Sequence, residues 1–432
     1  GRAPLHLACE AGHLNVVDLL AKHGVRLNVQ DANGATPLVV ATLANHVHIV
    51  EDLLARGVSA TLSDKYGFSA LYASCQLGNE ESTRLLLQAK GVSDPGHMNQ
   101  LFIVNNTTPF HAAAMCGALG CLRLLVDAGV NGNIPDANGV SPLMSAARKG
   151  SVECVDLVLS AGANVAAITP AEKYTALHLA ADAAHVDTVR RLLEAGSPKN
   201  LRTFRGGLTP LLMAVLSPAP PDRRQAVIDA LLEAGADATT RDSVGVTALY
   251  MAAQRKDVDN VKLLLGAPGA IDGIDHMRRD DGTTALFAAC QVGAADVVVE
   301  LLRAGASSTR PNKAGVEPLY IAAQEGHAGV ISHLLNYGAN PTQCLDDDYP
   351  PLFAACLGGH LDAAKVLLEG VCGGCHMGKT HTLTLTHSHT LTPPGGADIN
   401  QATKTGATPY IAACAEGNMA MTIMLIKAGC DP

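Results

Sequence analysis

One short motif returns along almost the whole chain, and the constancy of its spacing limits the fold more than any other property of the sequence. The motif is Thr/Ser-Pro/Ala-Leu-X-X-Ala-Ala, and its central apolar residue is Leu5, Leu38, Leu71, Phe110, Leu143, Leu177, Leu211, Leu249, Leu286, Leu319, Leu352 and Tyr410. The intervals are 33, 33, 39, 33, 34, 34, 38, 37, 33, 33 and 58 residues. A chain of 432 residues would otherwise suggest two or three separate globular domains. A unit this short cannot close a core of its own, so neighbouring units must stack and share one.

The local chemistry of one unit shows what is stacked. In Asp136-Ala137-Asn138-Gly139-Val140-Ser141-Pro142-Leu143, Asp and Gly suit a tight turn, Ser can cap a helix and Pro fits its first turn. A helix is therefore predicted from about Ser141, with Gly150 closing it and Ala146 and Ala147 leaving room for the next unit. A second helix carries Val152, Val155, Leu157, Val158 and Leu159 before Gly162, and their spacings of three and four predict that most lie on one buried stripe.

A 33-residue beat carrying variants of Thr-Pro-Leu-His resembles the ankyrin repeat, and the resemblance covers nearly the whole chain in about twelve copies. It implies an all-α ankyrin-repeat solenoid of helix-turn-helix units with β-hairpin or turn tips, elongated and curved. Composition agrees with such a core. The chain is 48% hydrophobic with no Trp and 3% aromatics, which favours Ala, Leu and Val over bulky anchors.

The same inventory excludes several function classes. Acidic residues outnumber basic ones by 40 − 31 = 9, so the chain lacks the positive field that neutralises phosphates, and nucleic acid is not an expected partner. No apolar run reaches the length of a membrane span and no basic-then-apolar leader opens the chain, so no membrane insertion is expected. Of twelve cysteines, Cys9, Cys75, Cys290, Cys356 and Cys414 share one repeat position and read as small buried hydrophobes in a reducing, intracellular and cytoplasmic setting. Gly1 aligns with a turn glycine such as Gly34, and Pro432 stops just after the text that follows a second helix. The array therefore reads as a segment cut from a longer protein.

The 58-residue interval contains an insertion. Removing residues 371–395 restores 33, and the rejoined Leu367-Leu368-Glu369-Gly370-Gly396-Ala397-Asp398 matches Leu231-Leu232-Glu233-Ala234-Gly235-Ala236-Asp237. The expected organisation is thus repeats 1–11 over 1–370, a low-complexity disordered insertion or gene-model artefact over 371–395, and repeat 12 over 396–432. Gly373 to Thr380 fits the phosphate-binding P-loop string, but a P-loop needs a strand before it and a helix after it, and here a Thr/His tract follows. Cys372 to His376 fits a c-type haem string and, with His381, His387 and His389, could ligate zinc. Such sites need a dry pocket and supporting hydrogen bonds, and the two strings share residues, so each weakens the other. No cofactor is expected.

The smaller departures, Ala89 to Thr107, Ser217 to Asp222 and Gly266 to Asp281, fall at turns and helix junctions, where arrays tolerate extra length. Pro218-Ala219-Pro220-Pro221 is read as lengthening a turn.

The resemblance places partner contacts at the hairpin tips and at the two residues after the Ala-Ala of each first helix. In this sequence the helix set is Gln76, Arg148, Lys149, Gln254, Arg255, Gln324 and Glu325, with Glu10, Leu77 and Glu416 equivalent, and Lys256 continues the Arg255 pattern. The tip set is Lys65, Tyr66, Phe68, Asp280, Asp281, Asp347 and Tyr349, with Lys313. Arg148 and Lys149 with Arg255 and Lys256 suggest a basic stripe for an acidic peptide, diluted by Asp182. Asp280, Asp281 and Asp346 to Asp348 make later tips acidic, without the ligand spacing of a calcium loop.

His6, His111 and His178 follow the central residue and read as hydrogen-bonded framework. Tyr250, Phe287, Tyr320 and Phe353 occupy that slot later and are expected to stack as a ladder. No nucleophile elbow, zinc-protease helix or paired catalytic carboxylates occur in a plausible context, so the chain is not expected to be an enzyme. It reads as a protein-protein interaction scaffold binding other proteins through its concave face and tips, with no obligate oligomer. The alternative is the regulatory or substrate-recruiting ankyrin region of a larger enzyme, channel or ubiquitin-ligase component.

Overall fold

Each occurrence of the motif opens a helix in the computed structural model, which describes residues 1–92, 94–102, 104–343, 349–370 and 396–431. Thr36, Ser69, Thr108, Ser141, Thr175, Thr209, Thr247, Thr284 and Thr408 each accept a hydrogen bond from the backbone N–H three residues on. That bond satisfies a donor with no partner inside the helix. Ala3, Glu317 and Pro350 stand at the equivalent place without a side-chain cap.

Two compact units result. The first, Gly1–Ala236, contains first helices Pro4–Glu10, Pro37–Leu43, Ala70–Leu77, Pro109–Cys116, Pro142–Lys149, Ala176–Asp182 and Pro210–Leu216. Their second helices are Leu14–Lys22, Val47–Ala55, Glu80–Gln88, Leu119–Asp127, Val152–Ser160, Val186–Glu194 and Pro221–Glu233. The second unit, Asp237–Pro432, contains first helices Ala248–Gln254, Ala285–Val292, Pro318–Gln324, Pro351–Leu357 and Pro409–Ala415. They pair with Val258–Leu265, Ala295–Arg303, Ala328–Asn336, Leu361–Glu369 and Met419–Lys427. Within each unit, successive first helices pack side by side, as do second helices up to Leu361–Glu369. Pairs alone cannot bury their apolar faces, and this stacking supplies the expected all-α solenoid.

The central residues of the first eleven motifs are buried, none more than 6% exposed. Small neighbours such as Ala113, Ala147, Ala181 and Ala323 are fully buried, which is how two helix backbones come close. Tyr410 is half-buried and Cys414 exposed, unlike buried Cys9, Cys75, Cys290 and Cys356. Cys414 thus differs from the buried position expected for it. Burial pushes the Cys9 and Cys356 thiols up to about 12, so both are inert packing groups.

The fifth repeat follows its text closely. Ser141 caps, and Gly150 closes the helix at φ +84°. The buried stripe of the second helix is narrower than expected: Cys154, Val155 and Val158 are buried, while Val152, Leu157 and Leu159 are half-buried. The Pro-rich stretch also differs from expectation. Pro221 starts a helix of 13 residues, against nine in the neighbouring Val186–Glu194, so part of the extra length is helical. Proline fits there because the first turn needs no N–H donor. Residues 94–107 add the short helix Pro95–Met98 and a bridge between Phe102 and Thr107.

The tips are turns that make at most isolated bridges, and no sheet forms among the described residues. Asp31, Asp64, Asp136, Asp242 and Asn312 each use Oδ1 to accept two backbone N–H groups of their own turn. This is why Asp and Asn recur there. Neighbouring tips are then tied together: Lys65 N–H donates to Asn33 O, Ala137 to Asn105, and Lys313 to Asp281.

Residues 371–395, with both cofactor-like strings, lie outside the described residues. Their flanks meet in the normal geometry of a repeat. Ala397 N–H donates to Leu367 O at 2.9 Å, and with 25 residues subtracted this is the five-residue step made by Ala236 to Leu231 and Ala339 to Leu334. Gln401 Nε2 reaches Thr342 O at 3.0 Å, and Pro409–Ala415 packs beside Pro351–Leu357.

Candidate protein-binding surface

The ends of the first helices are exposed for a geometric reason. Two consecutive small residues face the adjacent helices, and the next residue is rotated about 100° away from them. That residue is exposed in all twelve repeats: Glu10, Leu43, Gln76, Met115, Arg148, Asp182 and Leu216 in the first unit, and Gln254, Gln291, Gln324, Leu357 and Ala415 in the second. Buried framework and exposed surface therefore alternate within one turn of helix.

Histidines hold these ends in register, a role the sequence reading missed. The Nε2 of His46 bonds Glu10 O at 3.0 Å, that of His185 bonds Arg148 O at 3.1 Å, and those of His327 and His360 bond Gln291 O and Gln324 O. Each ring comes from the following repeat. The signal was present, because a His directly before a second helix recurs at a fixed slot. Gly150 shows how close this contact is: a Cβ there would sit 2.5 Å from the His185 ring.

The sequence-derived residues separate into two kinds. Gln76, Arg148, Lys149, Gln254, Lys256, Gln324 and Glu325 are exposed, as is Arg255. Lys256 adopts φ +60°, a left-handed conformation that several equivalent turns fill with Gly. At the tips, Tyr66 is 51% exposed. Lys65 is exposed, but its Nζ donates to Ala32 O and so clasps the preceding tip. Phe68 is half-buried, its ring 5.1 Å from Tyr72 and 5.3 Å from Phe102. Tyr349 is likewise half-buried, 5.4 Å from Phe353. Asp347 lies outside the described residues, as do Asp346 and Asp348.

The charge of the Asp280 and Asp281 tip is partly compensated from within. Arg278 reaches Asp280 at 3.3 Å and Asp281 at 3.5 Å. Burial would raise the Asp281 carboxyl, but the Thr283 N–H and hydroxyl and the Arg278 charge outweigh it and hold it below the usual range. Asp281 is thus part of the turn itself.

Histidines after the central residue are framework. His178 is fully buried; its Nδ1 meets the Thr175 N–H and hydroxyl, and its Nε2 faces Leu201 O and Leu208 O. Burial lowers it to about 4, so it is neutral at pH 7. His6 bonds Ala35 O, and His111 bonds Ser145 Oγ. The aromatic ladder is corrected: among the described residues no ring contact joins Tyr250, Phe287, Tyr320 and Phe353 to one another. Tyr250 instead hydrogen-bonds Thr283 at 3.2 Å, and Phe353 meets Tyr349, so these rings brace tips.

No group of three or more His, Cys, Asp or Glu able to hold a metal occurs among the described residues, and none of their helices is long and apolar enough to cross a membrane. The family model described as ankyrin repeats (3 copies) matches residues 5–95, 71–169, 166–242, 224–312, 249–344 and 304–381. Among solved structures, the chain is similar to the ankyrin repeat domain of Bcl-3, described as a unique member of the IkappaB protein family. The match has 28% identity and a TM-score of 0.44, and covers 54% of this chain and 98% of that one.

Proposed function

The chain belongs to the ankyrin repeat family, whose arrays are in general protein-protein interaction modules, and from that premise we propose that this one is a scaffold that holds partner proteins. The observation that carries the reading is the exposed position at the end of every first helix. In eleven of the twelve repeats the two residues before it are buried, and nearly all are small, while it varies among Leu, Met, Gln, Arg, Asp, Glu and Ala. A surface that changes from repeat to repeat on a fixed frame can discriminate partners without altering the fold. The exposed tip residue Tyr66 extends it, and Asp280 offers a charge already shared with Arg278.

In this reading the array has no catalytic role, no nucleic-acid partner, no obligate oligomer and an intracellular, cytoplasmic setting. The buried thiols of Cys9, Cys290 and Cys356 support a reducing compartment. Residues 1–370 and 396–432 form the array and 371–395 an insertion, a division supported by the Ala397 to Leu367 bond.

The test is affinity capture with the whole chain, followed by paired substitutions in each unit: Arg148→Glu with Lys149→Glu, and Gln254→Glu with Gln324→Glu. Loss of a defined set of captured proteins with unchanged circular dichroism is expected. Identical partner sets for wild type and both variants would overturn the proposal.

A further inference from the structure

The exposed ends of four neighbouring first helices in the first unit form a strip with a definite chemical order. Pro37–Leu43, Ala70–Leu77, Pro109–Cys116 and Pro142–Lys149 pack side by side in that sequence. At their C-terminal ends stand Leu43, Leu77 beside the likewise exposed Gln76, and Met115, the three apolar residues exposed by 46, 49 and 45%, and then Arg148 and Lys149. Apolar side chains left half in water on three consecutive helices are unlike the isolated exposed residues normal for a surface.

The basic end is uncompensated. Among the described residues the Arg148 guanidinium and the Lys149 ammonium have no hydrogen-bond or ion-pair partner, whereas Arg56, Arg84 and Arg191 are all paired with carboxylates. Lys149 is also directed along the strip. A Cβ built on Gly117 would lie 3.5 Å from its Cγ and Cε, so the lysine stem crosses the turn that follows Met115 and Cys116. Its charge therefore borders the apolar section. In the next repeat the same position is Asp182, exposed, which ends the basic section and opposes any acidic group placed beyond it.

We propose that this strip binds a peptide segment of a partner protein that is apolar along one stretch and acidic at one end. The apolar side chains lie on Leu43, Leu77 and Met115, and the acidic group lies between Arg148 and Lys149. Helices packed about 8 to 10 Å apart give four of them a span of about 25 to 30 Å. That is about eight or nine residues of extended chain. The inference rests on the scaffold reading and adds the chemistry of the partner.

The experiment is selection of phage-displayed random 16-residue peptides on the full chain, followed by calorimetry with the synthetic consensus peptide. Expected is a consensus joining apolar residues to Asp or Glu, binding that weakens as salt is raised, and at least a tenfold loss of affinity in Met115→Asp and in Arg148→Glu with Lys149→Glu. Both positions are exposed, and unchanged thermal unfolding of each variant separates a lost contact from a lost fold. A consensus without acidic residues, or binding indifferent to these variants, overturns the proposal and leaves the scaffold reading standing if whole partners are still captured. Failure to enrich any peptide also overturns it. If sedimentation shows a dimer without peptide that the same variants dissolve, the strip belongs to a second copy of the chain and the proposal is likewise wrong.

Discussion

His178 gives the most quantitative handle on how the array is held together. It is buried, caps its own helix through Thr175 and ties that helix to Leu201 and Leu208 of the adjoining tip. Its pKa falls from 6.5 to about 4, chiefly because burial disfavours the imidazolium. Between those values the unfolded chain binds a proton that the folded chain does not, so stability falls as pH falls. The contribution is fully present above pH 6.5 and is lost on the way down through 4. A shift of this size amounts to about 3.4 kcal/mol at its limit, and to about 2.5 kcal/mol between pH 7.5 and 4.5. The perturbation is His178→Gln, which keeps hydrogen-bonding groups but cannot titrate. Urea unfolding followed by circular dichroism should find the wild type more stable by about 2 to 3 kcal/mol at pH 7.5, from lost hydrogen bonds and packing. At pH 4.5 the two should be nearly equal. If the wild type keeps its whole advantage at pH 4.5, His178 is not the neutral buried group described, and the linkage argument fails.

Three further outcomes follow from the same geometry. Glu317 begins its helix without a side-chain cap, and burial raises its carboxyl; Glu317→Thr should raise the denaturation midpoint by the equivalent of about 1 kcal/mol. Gly150 and Ala184 both have positive φ, at +84° and +53°. Ala184→Gly should therefore stabilise by about 1 kcal/mol, while Gly150→Ala should destabilise by at least that much, as read by thermal unfolding. Deletion of residues 371–395 should leave the circular dichroism unchanged and the stability equal or higher by about 1 kcal/mol, since the Ala397 to Leu367 bond closes without them; a less stable product would show that the insertion supports the array.

The sequence by itself determined the helix pairs, because each carries its own start and stop. Ser141, Pro142 and Gly150 cap, begin and end one helix with interactions spanning only a few residues, and local interactions are legible from local text. The 33-residue period fixed which positions are core, so Leu143 and Ala147 were readable without coordinates. What only the tertiary structure decided is how each exposed residue is used. Phe68 belongs to the same tip as the exposed Tyr66, yet its ring meets Phe102, a partner supplied by the extra residues of the next repeat. Asp281 and Lys65 carry charge like any surface residue, but the first is held by Thr283 and Arg278 and the second by Ala32 of another repeat. Arg148 and Lys149 differ from them only in having no such partner. Pairing of this kind joins residues about 33 positions apart through three-dimensional stacking, and a periodic sequence states that two repeats touch without stating which of their side chains remain free.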